Sequence, residues 1–280
     1  MGRPERVEMA KTEADPSIAK GLPAGRKANI AAYVLANGEV TVAELAEYVN
    51  VSTDTVRRDL DDLNLEGILI RTHGGAISPK LVPKLDSNLD IRLGIEVARK
   101  EAIGRAAASI IKDNSVVIMN SGTTVLAVAK ALNNHVGLTI ATNNLHVAKE
   151  IKPESVRALH IFGGTVLHSS QATIGPVNLF SSTGEVLDFR CDLALIAIGG
   201  IDHEYGYSVT NLGEASMFKQ MMAQASKVGI LADETKVGLK LFAKLGNLSE
   251  ADYYITDTEP NKFLGNALEK AKVQIILPPN

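Results

Sequence analysis

The sequence predicts an α/β protein in which an N-terminal winged helix-turn-helix precedes a larger α/β domain. Three observations carry this expectation. Residues 51–75 read as a capped helix bearing two adjacent arginines, then a short apolar strand and a glycine-tipped hairpin. Beyond residue 115, short β-branched apolar runs alternate with stretches of helical spacing, the pattern of strands buried on both faces of a largely parallel sheet. Each run ends in a polar or glycine-rich turn, and ligands of open α/β sheets gather at such carboxyl ends.

Along the chain, residues 1–24 mix Pro, Gly, Lys and Glu without periodicity and are expected to form a disordered leader. Residues 25–77 are expected to form the winged module. Ile30, Tyr33, Val34 and Leu35 give one apolar stripe that ends at Asn37-Gly38; Val42, Leu45, Ala46 and Val49 give a second, closed by Asn50. Ser52 is a suitable N-cap for a third helix, whose Val56, Leu60 and Leu63 fall at i, i+4 and i+7. Thr53, Asp54, Arg57 and Arg58 then project away from that stripe. Ile68-Leu69-Ile70-Arg71 and Thr72-His73-Gly74-Gly75 supply the wing.

Hydroxyls and guanidiniums at the front of such a helix suit the major groove of double-stranded DNA, where Arg pairs with guanine and neighbouring groups hold phosphates. The candidate DNA contacts are Ser52, Thr53, Thr55, Arg57 and Arg58 on the helix, with Arg71 and His73 in the wing. The opposing consideration is charge. Between residues 26 and 76 the basic residues are Arg26, Lys27, Arg57, Arg58 and Arg71, against the acids Glu39, Glu44, Glu47, Asp54, Asp59, Asp61, Asp62 and Glu66. DNA-binding modules are usually basic, and an arginine pair on a helix is often a solvated face. The late acids Asp59, Asp61, Asp62 and Glu66 can face away from phosphate, leaving Arg26, Lys27 and the arginines above for DNA.

Pro79 and Pro83 mark an extended linker over residues 78–90. Residues 91–280 are expected to form the α/β domain, opening with helical spacing from Ile91 to Ile111. Its six apolar runs are Val116–Met119, Leu138–Ala141, Leu159–Phe162, Leu193–Ile198, Val228–Leu231 and Tyr253–Ile255. In Ser121-Gly122-Thr123-Thr124, Gly122 permits a tight turn and the following helix start offers free N–H groups to a phosphate or other oxyanion; the same residues could equally be a plain strand-to-helix turn. Lys236 could meet that anion or be a surface lysine. Asn143, Asn144, Asp202 and Glu214 are of the types that bind sugar hydroxyls, or that cap turns. Met217, Met221 and Met222 have the spacing of core or subunit contacts.

Composition bounds the rest. At 280 residues there is room for two domains. A net charge of −3 gives no global attraction to nucleic acid, so a DNA site must be local. The single cysteine, Cys191, excludes an intrachain disulfide and fits a reducing cytoplasm. No run approaches the ~20 apolar residues that span a bilayer, so no membrane partner is expected. The six histidines lack the close pairing of zinc sites, and the Walker, G-x-G-x-x-G and G-x-S-x-G motifs are absent, so neither metal nor cofactor is expected.

The sequence resembles the DeoR family of transcriptional regulators. Thr41-Val42-Ala43-Glu44-Leu45-Ala46, the run Val51–Leu60 and Arg71-Thr72-His73-Gly74-Gly75-Ala76 are similar to its helix-turn-helix; Asn64-Leu65 departs from the more usual Leu-Glu. Ser121–Thr124, Thr142-Asn143-Asn144-Leu145, Gly163-Gly164, Gly199-Gly200-Ile201-Asp202, Glu214-Ala215 with Lys219 and Ala232–Lys236 resemble its effector domain, which is similar to the ribose-5-phosphate isomerase fold. The resemblance implies a repressor of a carbohydrate-metabolism operon, a phosphorylated sugar-like effector, and a homodimer or homotetramer on paired half-sites. It implies effector contacts from Asn120, Ser121, Gly122, Thr123, Thr124, Asn143, Asn144, Gly163, Gly164, Asp202, Glu214 and Lys236. Asn120 stands where the family commonly has Asp. The alternative is a sugar-phosphate isomerase-like enzyme, but such isomerases carry an acid where this chain has Gly199, and proton shuttling needs that carboxylate. A purely architectural DNA-binding protein leaves the polar strand ends of the second domain unexplained.

Overall fold

The computed structural model describes residues 23–66, 68–72, 74–78, 89–180 and 183–279. The leader expected over residues 1–24 therefore lies outside the described residues up to 22, as do His73 and most of the expected linker. The chain divides into two units, residues 1–82 and 83–280. Among the described residues no helix is long and apolar enough to cross a membrane.

In the first unit, helix α1 (Pro23–Asn37) begins two residues inside the stretch read as leader and stops where Gly38 adopts φ 86°. Strand β1 (Glu39–Thr41) leads into α2 (Val42–Tyr48), whose start is fixed by a capping box between Thr41 and Glu44. Asn50, with φ 52°, turns the chain into α3 (Thr53–Leu65), capped by the Ser52 hydroxyl. Strands β2 (Ile70–Arg71) and β3 (Gly75–Ile77) complete the wing in the order β1-β3-β2. Ile30, Val34, Leu45, Val56, Leu60 and Leu63 interlock in one core, while Leu35 faces solvent at the edge of the first stripe.

In the second unit the helical spacing from Ile91 to Ile111 is not one helix. It divides into α4 (Leu89–Leu93) and α5 (Val97–Ile110), because Glu96 adopts a left-handed conformation that a helix cannot pass through. The sheet is built of β4 (Val116–Met119), β5 (Leu138–Thr142), β6 (Val156–Ile161), β11 (Cys191–Ala197), β14 (Ala225–Leu231), β16 (Tyr253–Ile255) and β17 (Gln274–Ile276). These seven strands are parallel and run in the order β17-β16-β14-β11-β4-β5-β6. Helices α6 (Thr123–Ala131), α7 (Val147–Glu150), α8 (Leu212–Ala223) and α9 (Lys262–Lys270) accompany them. One apolar cluster gathers α5 and α6 on one side, and a second gathers α8, with its Met217, Met221 and Met222, and α9.

Two expectations change. Strand β6 is an edge strand and is not buried on both faces: Ile161 is 42% exposed. And the sheet is accompanied by antiparallel pieces that no continuous apolar run announces. These are β7 (Thr165–Leu167) with β8 (Ala172–Ile174), β9 (Leu179–Phe180) with β10 (Val186–Leu187), and a three-stranded set of β12 (Gly200–Asp202), β13 (Gly206–Val209) and β15 (Ala243–Gly246).

Candidate functional site

The surface of α3 is the first candidate. Ser52 Oγ accepts the Thr55 N–H at 3.2 Å and lies 2.9 Å from Thr55 Oγ1, so these two hydroxyls hold the helix start as well as face outward. Thr53, Arg57 and Arg58 are exposed. Arg57 Nη1 lies 2.7 Å from Asp54 on the same helix, an open pair of small energetic weight because water solvates both partners. Arg58 has no ion pair among the described residues.

The remaining described cations of this unit are engaged within it. Arg26 and Lys27 on α1, expected on the DNA side, pair instead with Asp59 and Asp62 of α3, and the neighbouring carboxylates raise both their pKa values. Asp59 is buried, and the guanidinium of Arg26 replaces the water contacts that its carboxylate loses there. Arg71 is likewise half-buried with Nε 2.7 Å from Asp61, and its N–H donates to Asn64 Oδ1 at 3.1 Å, which ties β2 to α3. Four of the module's acids, Asp54, Asp59, Asp61 and Asp62, are thus paired inside it, and among the described residues of this unit its exposed cations are Arg57 and Arg58 at the front of α3.

The second candidate lies at the carboxyl ends of β4, β11 and β14. A cavity of about 110 Å³ is lined by the Ser121–Thr124 loop, Gly199, Glu214, Asp233 and Lys236, together with Arg92 and Lys100. Gly122, at φ 136°, precedes α6 and supplies no capping side chain, so the first-turn N–H groups of that helix are left for another partner. Lys100 is 9% exposed; burial, with Arg92 and Lys236 nearby, lowers its pKa to about 7, while Asp233 and Glu96 oppose the drop. Burial also lowers Arg92 and raises Glu214, each partly offset by the opposite charge of the other.

Six of the twelve residues expected at the effector line this cavity: Ser121, Gly122, Thr123, Thr124, Glu214 and Lys236. The other six are placed around it differently. Asn120 is fully buried, and its amide donates to Ala197 O at 2.9 Å and accepts from Ala197 N at 2.8 Å, which occupies both of its polar ends. Asn143 donates to Thr173 O at 2.7 Å, and Asn144 donates to Gly122 O at 3.3 Å, holding the loop from behind. Gly164 packs on the backbone of Ile174 and Gly175 beside the β7–β8 ribbon, and the Gly163 carbonyl faces Gly175, with open space where a Gly163 side chain would stand. Asp202 accepts the N–H groups of Glu204 and Tyr205 at 2.9 Å and lies 3.3 Å from Lys240, a turn lock away from the cavity.

Arg92 and Lys100 also line the cavity, though neither is among the expected contacts. Both lie in a stretch of helical spacing, where periodicity does not tell a solvated cation from a buried one, and Asp233, within the expected Ala232–Lys236 element, lines the cavity as well as capping the turn that follows. Among the described residues no group of three His, Cys, Asp or Glu side chains is placed to hold a metal ion.

A winged helix-turn-helix followed by an α/β unit with a charged cavity at its strand ends defines a DNA-binding transcriptional regulator with a sensor domain. Comparison with known proteins agrees. Residues 26–82 match the family model described as the DeoR-like helix-turn-helix domain, and residues 95–258 match the DeoR C terminal sensor domain. The chain belongs to the DeoR family. It is 34% identical to the HTH-type transcriptional repressor CsqR of Escherichia coli over 86% of this chain and 90% of that one. It is also 34% identical to the repressor GlcR of Bacillus subtilis (86% and 91%) and 30% identical to the E. coli glycerol-3-phosphate regulon repressor (86% and 93%). Ribose 5-phosphate isomerase from Plasmodium falciparum overlaps 49% of this chain and 52% of its own at 13% identity, with a TM-score of 0.36, too loose a likeness to carry an argument.

Proposed function

We propose that this regulator represses a carbohydrate-metabolism operon and that a phosphorylated sugar or related metabolite, bound in the cavity of the second unit, controls its hold on operator DNA. The observation that carries the reading is the convergence of Arg92, Lys100, Lys236 and the uncapped start of α6 on one small cavity. Three cations and a helix N-terminus suit a phosphate, and Glu214 with the Ser121, Thr123 and Thr124 hydroxyls suits the polyol attached to it. Asn120, Asn143, Asn144, Gly163, Gly164 and Asp202 then act by shaping the walls and turns. On the DNA side, Ser52, Thr53, Thr55, Arg57 and Arg58 reach the major groove, with Arg71 and His73 in the wing. A symmetric homodimer or homotetramer in the cytoplasm presents paired helices to paired half-sites.

The second unit senses and does not catalyse. Gly199 lines the cavity at the position where the resembled isomerases carry an acid, and a Cβ added there would meet Leu241 Cδ1 at 2.5 Å. The acid that such isomerases use to shuttle a proton between adjacent carbons is therefore missing from its place, and Glu214 and Asp233, the carboxylates that do line the cavity, are read as ligand-holding groups. The relatives named as repressors, one of them of the glycerol-3-phosphate regulon, support the same reading.

A thermal-shift screen against phosphorylated sugars tests it, since a ligand selective for the folded state raises the melting point by mass action. The expected result is a rise with one or a few sugar phosphates, abolished in Thr123→Val and Lys236→Met, and no turnover of any of them. A panel that leaves the melting point unmoved would remove the effector assignment; turnover would restore the isomerase.

A further inference from the structure

Lys100 lies in the first turn of α5, and its Nζ donates to the carbonyl oxygens of Arg92, at 2.6 Å, and of Ile95. The first carbonyl closes the end of α4 and the second lies in the turn from α4 to α5, which passes through Glu96 at φ 51° and ψ 42°. Glu96 is held in turn by Arg99 at 2.9 Å, and Arg99 reaches Glu234 at 3.0 Å and Asp257 at the ends of the sheet. One buried amine thus fastens the turn to the helix, while its own side chain and those of Arg92 and Ile95 line the cavity.

A neutral amine brings two N–H donors, and the turn already takes both; an ammonium brings three. With a pKa near 7, set mainly by burial, Lys100 is divided between these forms at neutral pH. An anion in the cavity favours the ammonium, and hydrogen bonds from a charged donor are roughly twice as strong as those from a neutral one. We infer that an anion bound in the cavity clamps the α4–α5 turn through Lys100, whose third N–H takes the anion while the other two tighten on Arg92 and Ile95. In chain order α4 is the first described element after the DNA-binding unit, so a turn whose stiffness follows occupancy stands on the covalent path between sensor and reader. Such a turn supplies the difference in ligand affinity between two states that any coupling requires. The inference rests on the reading of the cavity as an anion site.

Hydrogen exchange on the full chain, with and without saturating inorganic phosphate, tests both and separates them. The expected result is exchange slowed in the peptide covering residues 121–126 and, by roughly fivefold or more, in residues 92–97. In phosphate-free protein, Lys100→Met should speed exchange over residues 92–97 and leave 121–126 unchanged. Slowing at 121–126 with no change at 92–97 would overturn the clamp and leave the anion site standing. Slowing at neither would overturn both. Unchanged exchange at 92–97 in folded Lys100→Met would show that the lysine does not hold the turn; if that variant does not fold, the wild-type comparison decides.

Discussion

Arg57 and Arg58 are neighbours in sequence with different surroundings. Arg57 leans on Asp54, whereas Arg58 has no ion pair among the described residues. Arg58→Ala is expected to weaken DNA binding and to lower the slope of log affinity against log salt by about one, the signature of one lost phosphate contact. Binding measured across a salt series checks this; an unchanged slope would place Arg58 off the DNA. Asn120 makes the opposite point, because a side chain of ligand-binding type is wholly engaged by the backbone of Ala197. Asn120→Asp keeps the acceptor for the Ala197 N–H but removes the donor and sets a carboxylate oxygen against the Ala197 carbonyl. The expected loss is about 1–3 kcal/mol of stability, measured by denaturant unfolding.

Among the elements, the wing is where two adjacent glycines separate in meaning. A Cβ on Gly75 would lie 2.0 Å from Val40 O, inside the β1–β3 ladder, whereas one on Gly74 meets nothing within 4 Å. Gly75→Ala is therefore expected to cost the DNA-binding unit about 1–3 kcal/mol, and Gly74→Ala close to nothing. Melting curves of the two variants check the contrast, and equal melting points would sink it. Helix existence and type were readable in this unit because each helix has its own stripe and cap, as Ser52 and the Thr41–Glu44 box illustrate. What could not be read was the pairing of Arg26 with Asp59 and Lys27 with Asp62, since charges 33 and 35 residues apart meet only after α1 packs on α3.

For the whole molecule, the buried Lys100 links stability to pH. An ordinary lysine titrates at 10.5 and this one at about 7, so between those values the unfolded chain binds one more proton than the folded protein. Stability should therefore rise as pH increases from about 7 toward 10.5, and below 7 the penalty of the buried charge is present in full. Lys100→Met should flatten that rise in melting temperature relative to wild type. A variant profile as steep as wild type would assign the slope to another group. A bound anion should flatten it too, by restoring the ammonium.

The sequence by itself determined the order of the two units, the helices and wing of the first, six of the seven strands of the parallel sheet of the second and the glycine turn at Ser121–Thr124, because periodicity, caps and glycine turns act over a few residues. Tertiary structure alone decided which polar groups face the cavity and which brace it. Nothing local marks Lys100 and Arg92 as cavity residues until the left-handed turn at Glu96 sets α4 and α5 beside the strand ends. Asn120 and Asp202 read as ligand contacts until neighbouring backbone satisfies them. A polar side chain's role depends on which partner reaches it first, and those partners arrive from distant parts of the chain.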